Sequence, residues 1–347
     1  MHPDLPPPSL RLEIDRSALA DNWRTLDRLS GAASAGAAVK ADGYGVGARA
    51  VVPALLDAGC RDFFVAHWAE VPDVAAIADP ARVAVLHGPL CGADAAFARA
   101  TGVRPVINSL YQARLWLESG GGPCHLMVDT GMNRLGVGLA ELGDDAVKRL
   151  DIDVLLSHLA CAEEEVPLNA VQLERWNAAR GQVRHRRASL ANSAGIARGG
   201  DYHGDLTRPG LSLYGGVPCA ALDGAIRQVV RPSAAILQTR LLQPGDTVGY
   251  NATFTAPQQM RVGVISLGYA DGYLRCWSGR GIALSDGRRL PVVGRVSMDM
   301  TIVDITAAPE LAEGDWLAME YDLPGAALSS GLSQYELLTL LGKRFSR

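Results

Sequence analysis

Ala37-Ala38-Val39-Lys40-Ala41-Asp42-Gly43-Tyr44-Gly45 reads as one unit of an alternating fold. A short apolar run, Ala37–Lys40, ends in a lysine. A glycine-bearing turn follows, and an amphipathic stretch comes after it. The same order recurs from residue 10 to residue 228. The other strand candidates are Asp62–Ala66, Val83–His87, Val103–Ile107, His125–Val128, Val154–His158, Ala188–Ala191 and Asp205–Arg208. Helical patterns lie between most of them. Examples are Ser17–Leu29, with Ser17 expected as the N-cap, and Asn169–Val183, with apolar Val171, Leu173 and Trp176. Alternation of this kind predicts a parallel sheet. Eight units in about 220 residues fit a (β/α)8 TIM-like barrel, which typically needs ~250. A doubly wound open sheet is the alternative.

After residue 229 the texture changes. Ala234–Leu241, Arg261–Leu267, Leu290–Gly294, Thr301–Ile305 and Asp315–Met319 are strand-like, with short Gly/Pro/Asp turns between them. The expectation is a mostly antiparallel β domain over 229–347, with residues 1–9 as candidates to join it. Gln334–Leu341 reads as one short helix.

Composition bounds the function. The 347 residues carry 33 Lys plus Arg and 37 Asp plus Glu, a net charge of −4, so nothing electrostatic favours nucleic acid. Hydrophobic residues at 48% and charged residues at 20% are globular values and exclude a disordered or fibrous chain. No apolar run approaches the ~20 residues that span a bilayer. The head Met1–Pro8 has neither a basic nor an apolar export segment. The six cysteines are scattered, and C-x-x-C does not occur. A reducing cytoplasm is expected, without disulfides or a zinc site.

The polar residues of interest fall at the C-terminal ends of the expected strands, where barrel active sites are built. Lys40 ends an apolar strand. Burial would lower its pKa and make it a nucleophile toward carbonyls, whereas a surface lysine would merely snorkel. Gly43-x-Gly45-x-x-Ala48 also matches a dinucleotide-binding pattern, with Glu70 as a candidate ribose partner, so a nicotinamide-dependent oxidoreductase is a distant rival. Arg134 follows the fifth strand and suits a carboxylate or other anion. His158 ends the sixth strand. Ser193 and the Gly210-Leu211 turn follow the seventh and eighth, where barrels bind phosphate. A strand-end lysine, a phosphate cradle and no metal cluster together point to pyridoxal phosphate.

The segment Ala38-Val39-Lys40-Ala41-Asp42-Gly43-Tyr44-Gly45 resembles the cofactor-lysine signature of alanine racemases, fold-type III pyridoxal phosphate enzymes. The similarity runs nearly the whole length. It includes Asp129-Thr130-Gly131-Met132-Asn133-Arg134-Leu135-Gly136, Ser157-His158-Leu159, Asn192-Ser193-Ala194-Gly195 and Arg208-Pro209-Gly210. In the second domain it includes Gly249–Ala256, Gly268–Tyr273 and Gly294–Asp299.

The resemblance implies a cytoplasmic homodimer that interconverts L- and D-alanine and supplies D-alanine for peptidoglycan. Lys40 would hold the cofactor as a Schiff base and act as one base, and Tyr250, reaching in from the partner subunit, would act as the other. Arg134 and the main chain of Met298 would take the substrate carboxylate. Tyr44, Ser193, Gly210 and Leu211 would bind the phosphate. Arg208 would face the pyridine nitrogen with His158 behind it. Tyr269, Arg295 and Asp299 would line the access corridor or back the site. A serine or broad-specificity racemase is the nearest rival. Two departures stand out. Met127 occupies the position of a lysine that many members carbamylate to orient the arginine, leaving Asn133 or a bound anion for that task. Lys343 stands where some members place a phosphate-contacting tyrosine.

Overall fold

The computed structural model describes residues 6–347. The first five residues of the head, read above as lacking an export segment and as candidates to join the β domain, lie outside the described residues. The chain divides into two compact units. One is Arg16–Arg227, and the other joins the described residues up to Asp15 with Gln228–Arg347.

The first unit is a barrel of eight parallel strands. The first strand, Ser34–Ala35 and Ala37–Ala38, is interrupted at Gly36, where an added Cβ would lie 2.8 Å from the Asp62 carbonyl. Next come Phe63–Val65, Val83–Val85, Arg104–Ile107, Pro123–Asp129, Asp151–Leu156, Arg187–Ser189 and Leu206–Thr207. Every pairing among them is parallel. The ring closes because the amides of Ser34, Gly36 and Ala38 donate to the carbonyls of Asp205, Thr207 and Pro209 at 3.1, 2.9 and 2.9 Å. The seventh and eighth strands are joined through Asp205 N to Ala188 O and Arg208 N to Ala191 O, both 2.8 Å. Closure removes the exposed edges that an open sheet would leave, so the doubly wound alternative falls. The strand interiors are apolar and fully buried, with Phe63, Val65, Val85, Val106, Leu126 and Leu155 all at 0% exposure.

Two local expectations need correction. The helix starts at Arg16, so Ser17 lies inside its first turn and does not cap it. The first barrel strand stops at Ala38, and Lys40 opens the turn that follows. That turn is left-handed. Ala41, Asp42, Gly43 and Tyr44 have φ of 54, 53, 62 and 56°. Three of these residues carry a Cβ that disfavours this region, so the surroundings must hold the turn in place.

The second unit is a closed antiparallel barrel. The long strand Val230–Leu242 pairs with Met260–Ile265, which continues through Thr301–Asp304, Arg288–Val293, Ile282–Ser285 and Trp316–Met319 back to the long strand. Leu10–Ile14, placed in the first domain by the sequence reading, is instead paired antiparallel with residues 230–234 of this barrel. The hairpin Ile282–Ser285/Arg288–Val293 turns at Asp286 and Gly287, whose φ of 47 and 76° are what a tight two-residue turn requires. Gln334–Thr339 forms the expected short helix, capped by Ser333.

Candidate active site

Glu70 fixes the lysine turn. Its carboxylate accepts from Ala41 N at 2.5 Å, Ala66 N at 2.7 Å and His67 N at 3.1 Å. These bonds tie the loop after the first strand to the loop after the second. They also occupy the group that the oxidoreductase reading needed for a ribose. Asp42 Oδ1 accepts from Ala48 N at 2.7 Å and caps the next helix. Lys40 is thereby presented at the barrel mouth from a rigid turn.

Burial is the main force lowering the Lys40 pKa. The positive charges of Arg134 and Arg208 add to it, and Glu70 opposes. His158 feels the same field. Desolvation first, then Arg208, Arg134 and Lys40, hold its pKa down near about 3, so its ring is neutral. Gln172 Nε2 donates to the His158 carbonyl at 3.0 Å and to Thr130 Oγ1 at 3.1 Å, bracing both loops from the helix Pro167–Gln182.

Arg208 is buried, with no carboxylate among its hydrogen-bond partners. Nη1 donates to Ser189 O at 2.8 Å and Ser189 Oγ at 2.5 Å, and Nη2 to Ser157 O at 2.5 Å. Desolvation lowers its pKa to about 10, which leaves it charged at neutral pH. The carbonyls of neighbouring strands therefore clamp the guanidinium.

The loops after strands seven and eight meet through Ser193. Its Oγ accepts from Gly210 N at 3.0 Å and from Ser212 N at 3.3 Å. Asn192 caps the turn Ser193–Ile196 through Gly195 N at 2.8 Å. Any Cβ at Gly210 would lie 2.2 Å from the Tyr44 hydroxyl. The Tyr44 ring stacks on Tyr214 at 4.9 Å between centroids, and burial pushes its pKa up to about 12, so it remains a donor. Ser212 Oγ is buried and has no partner among the described residues. A glycine cradle, hydroxyl donors and one orphaned hydroxyl are a donor set suited to phosphate. The ring of a phosphate-bearing aldehyde cofactor fits the cationic pocket beside it.

Arg134 follows a loop nested on Asp129, whose Oδ1 accepts from the amides of Gly131, Met132 and Asn133 at 2.8, 3.0 and 3.2 Å. Asn133 has φ of 56° and is exposed, and no hydrogen bond joins its side chain to Arg134. Met127 is buried on the fifth strand.

In the second unit, Tyr250 is 65% exposed on a turn in which Gly249, Asn251 and Ala252 all have positive φ. Met298 is also exposed, and its carbonyl accepts from Ala270 N at 2.9 Å. The Tyr269 ring carries the Arg275 guanidinium 5.2 Å from its centroid, Asp299 pairs with Arg344, and Arg295 is half-buried. Lys343 is exposed. Sequence reasoning missed Glu70 as a loop tie, Gln172, Tyr214, Ser212 and Ser189. Their roles rest on contacts between distant segments that no local motif announces. The residues at 67 and 87, a pair of histidines with ring centroids 4.1 Å apart at the mouth, were also missed.

Comparison with known proteins covers nearly the whole chain. The family description "Alanine racemase, N-terminal domain" matches residues 14–218, and "Alanine racemase, C-terminal domain" matches residues 229–347. An alanine racemase of Methylobacterium nodulans is 42% identical over 97% of this chain and 95% of its own. A biosynthetic alanine racemase of Agrobacterium fabrum is 40% identical over 97% and 93%. Among solved structures, alanine racemase from Bartonella henselae with covalently bound pyridoxal phosphate superposes with a TM-score of 0.89, at 34% identity, over 98% of this chain and 99% of that one.

Proposed function

The chain belongs to the alanine racemase family, and from that membership we propose that it interconverts L- and D-alanine by proton transfer at Cα with pyridoxal 5'-phosphate as cofactor. The observation that carries the reading is the cationic pocket around Lys40. A lysine with lowered pKa stands with a neutral His158, a clamped Arg208 and a phosphate cradle after strands seven and eight. Pyridoxal phosphate, when bound, supplies a ring that withdraws electrons from the substrate Cα.

The residues divide the work. Lys40 holds the cofactor and moves the proton on one face of Cα. Tyr250 of the partner subunit moves it on the other, because a single base would have to cross the ring. Both groups ionise near ~10 in water, so lowering the lysine brings it toward working range. Arg134 presents its guanidinium to the substrate carboxylate, with the main chain of Met298 as a second contact. Tyr44, Ser193, Gly210 and Leu211 would hold the phosphate. Arg208 would face the ring nitrogen. It cannot accept a proton there, so negative charge would be held weakly and the proton would return to Cα. That favours racemisation over transamination. Tyr269, Arg295 and Asp299 shape access.

Exposure of Tyr250, Met298 and Met300 at 65, 53 and 43% supports a homodimer, since a partner would cover them. Six unpaired cysteines support a reducing cytoplasm, and no described helix is long and apolar enough to cross a membrane. The product would supply peptidoglycan synthesis. The test uses purified protein with cofactor. Borohydride should fix the cofactor on Lys40, as read by peptide mass, and solvent deuterium should enter Cα of alanine faster than Cα of serine. Attachment at any other lysine, or no exchange into alanine, refutes the reading.

A further inference from the structure

We propose that Arg344 is a positioning residue for the substrate-carboxylate contact, acting through Asp299 and Asp271 on the main chain of Met298. The inference deepens the racemase reading and rests on it. Asp271 is 1% exposed, a depth at which a carboxylate is costly unless fully paired. Its Oδ2 accepts from Gly268 N at 3.0 Å, and its Oδ1 from Arg344 Nε at 2.6 Å. The same guanidinium reaches Asp299 Oδ1 through Nη1 at 2.7 Å. One planar group thus spans a buried carboxylate and an exposed one, a geometry that a lysine cannot reproduce.

The two carboxylates belong to loops that share backbone bonds. Tyr269 N donates to Ser297 O at 3.0 Å, and Ala270 N to Met298 O at 2.9 Å. A Cβ at Gly268 would lie 2.3 Å from Met298 O, so the loops pack main chain to main chain. The far end of the tether is fixed as well. Gly342 N donates to Asp271 O at 3.1 Å, Ser346 N to Leu10 O at 3.1 Å, and Leu12 N to Ser346 O at 2.8 Å. Arg344 therefore hangs from a segment stitched to the strand Leu10–Ile14, and its fork decides where residues 297–299 stand. Displacement there acts first on the Met298 main chain, which among the described residues shares no backbone hydrogen bond with the turn bearing Tyr250. The effect should fall on substrate binding, not on proton transfer.

Arg344→Ala, Arg344→Lys and Asp299→Asn are made in the full chain and assayed as holoenzyme beside wild type. Asp299→Asn leaves Asp271 paired, so it reports even if Arg344→Ala fails to fold. KM for alanine should rise about tenfold in Arg344→Ala and less in Asp299→Asn, with kcat held within about twofold. Arg344→Lys should recover part of the loss. Amide exchange at Tyr269 and Ala270 should quicken in Arg344→Ala and Asp299→Asn, a readout that does not depend on turnover. Unchanged exchange in Asp299→Asn overturns the tether whatever the enzyme does. Quickened exchange with unchanged KM, or a fall in kcat at constant KM, overturns its role toward substrate. A wild type that fails to racemise alanine refutes the functional reading, and the exchange result still judges the tether.

Discussion

The lysine turn and the tyrosine turn are both left-handed loops bearing a residue proposed to move a proton, but they stand in opposite conditions. The lysine turn is tied by Glu70 to three amides, capped by Asp42 and flanked by buried Arg208. The tyrosine turn leaves Tyr250 65% exposed. In the proposed two-base scheme, one half is finished within a single chain and the other is left open. If a partner chain supplies the tyrosine, as proposed, Tyr250 acquires its environment on assembly, and isolated protomers should be inactive.

The largest effect should come from breaking the finished half. Lys40→Ala removes both attachment and a base, and alanine turnover should drop by at least about 10⁴-fold, with no cofactor fixed by borohydride. Tyr250→Phe should cost about 10²–10⁴-fold while cofactor attachment persists. Mixing the two variants tests whether the halves come from different chains. In a mixed dimer one of the two sites would recover both wild-type residues, so equal mixing should restore about a quarter of wild-type activity. No recovery, with mixed dimers verified by mass, would place both residues in the same protomer and end the shared-site account.

The Arg208 cage is sharpened next. Arg208→Glu puts an acceptor against the carbonyls of Ser157 and Ser189, at a cost of roughly 1–3 kcal/mol. The pyruvate formed per racemisation event should rise, as read by coupled reduction. Unchanged partition would count against the weak-sink argument.

The pH dependence of the apo protein tests the same pocket. The folded pKa of His158 is depressed to about 3, below the usual 6.5, so the unfolded chain binds the extra proton in that window. Stability should then fall as pH drops from 6.5 toward 3, by up to about 4 kcal/mol from this residue. Lys40 adds to the slope in the same sense at higher pH, because its folded pKa is also lowered. His158→Asn should flatten the acid limb in denaturant melts, and an unchanged limb would show that the ring is not held neutral.

The strand order was legible because each strand of the first unit is a local apolar run. The strand Leu10–Ile14 was not. Its partner is residues 230–234, more than two hundred positions away, and nothing in its own composition names that partner. The left-handed run 41–44 was hidden for a related reason. Ala41 carries no turn signal, and its amide is held by the Glu70 carboxylate from another loop. Local sequence shows the strands and turns, whereas the ties that hold the loops depend on closure of the barrel.

The smallest effect separates a side chain from its backbone. Asn133 precedes Arg134 with φ of 56°, and its amide reaches neither Arg134 nor any other group by hydrogen bond among the described residues. Its contribution is then conformational: asparagine tolerates the left-handed region that the Asp129-nested loop requires. Asn133→Gly adopts the same φ freely and should keep KM for alanine within about twofold. Asn133→Val places a branched Cβ where it is strained by about 1–2 kcal/mol, and KM should rise several-fold as Arg134 is displaced. Equal loss in both variants would return the orienting role to the amide, and the Arg134 loop would then rely on a side-chain partner just as the lysine turn relies on Glu70.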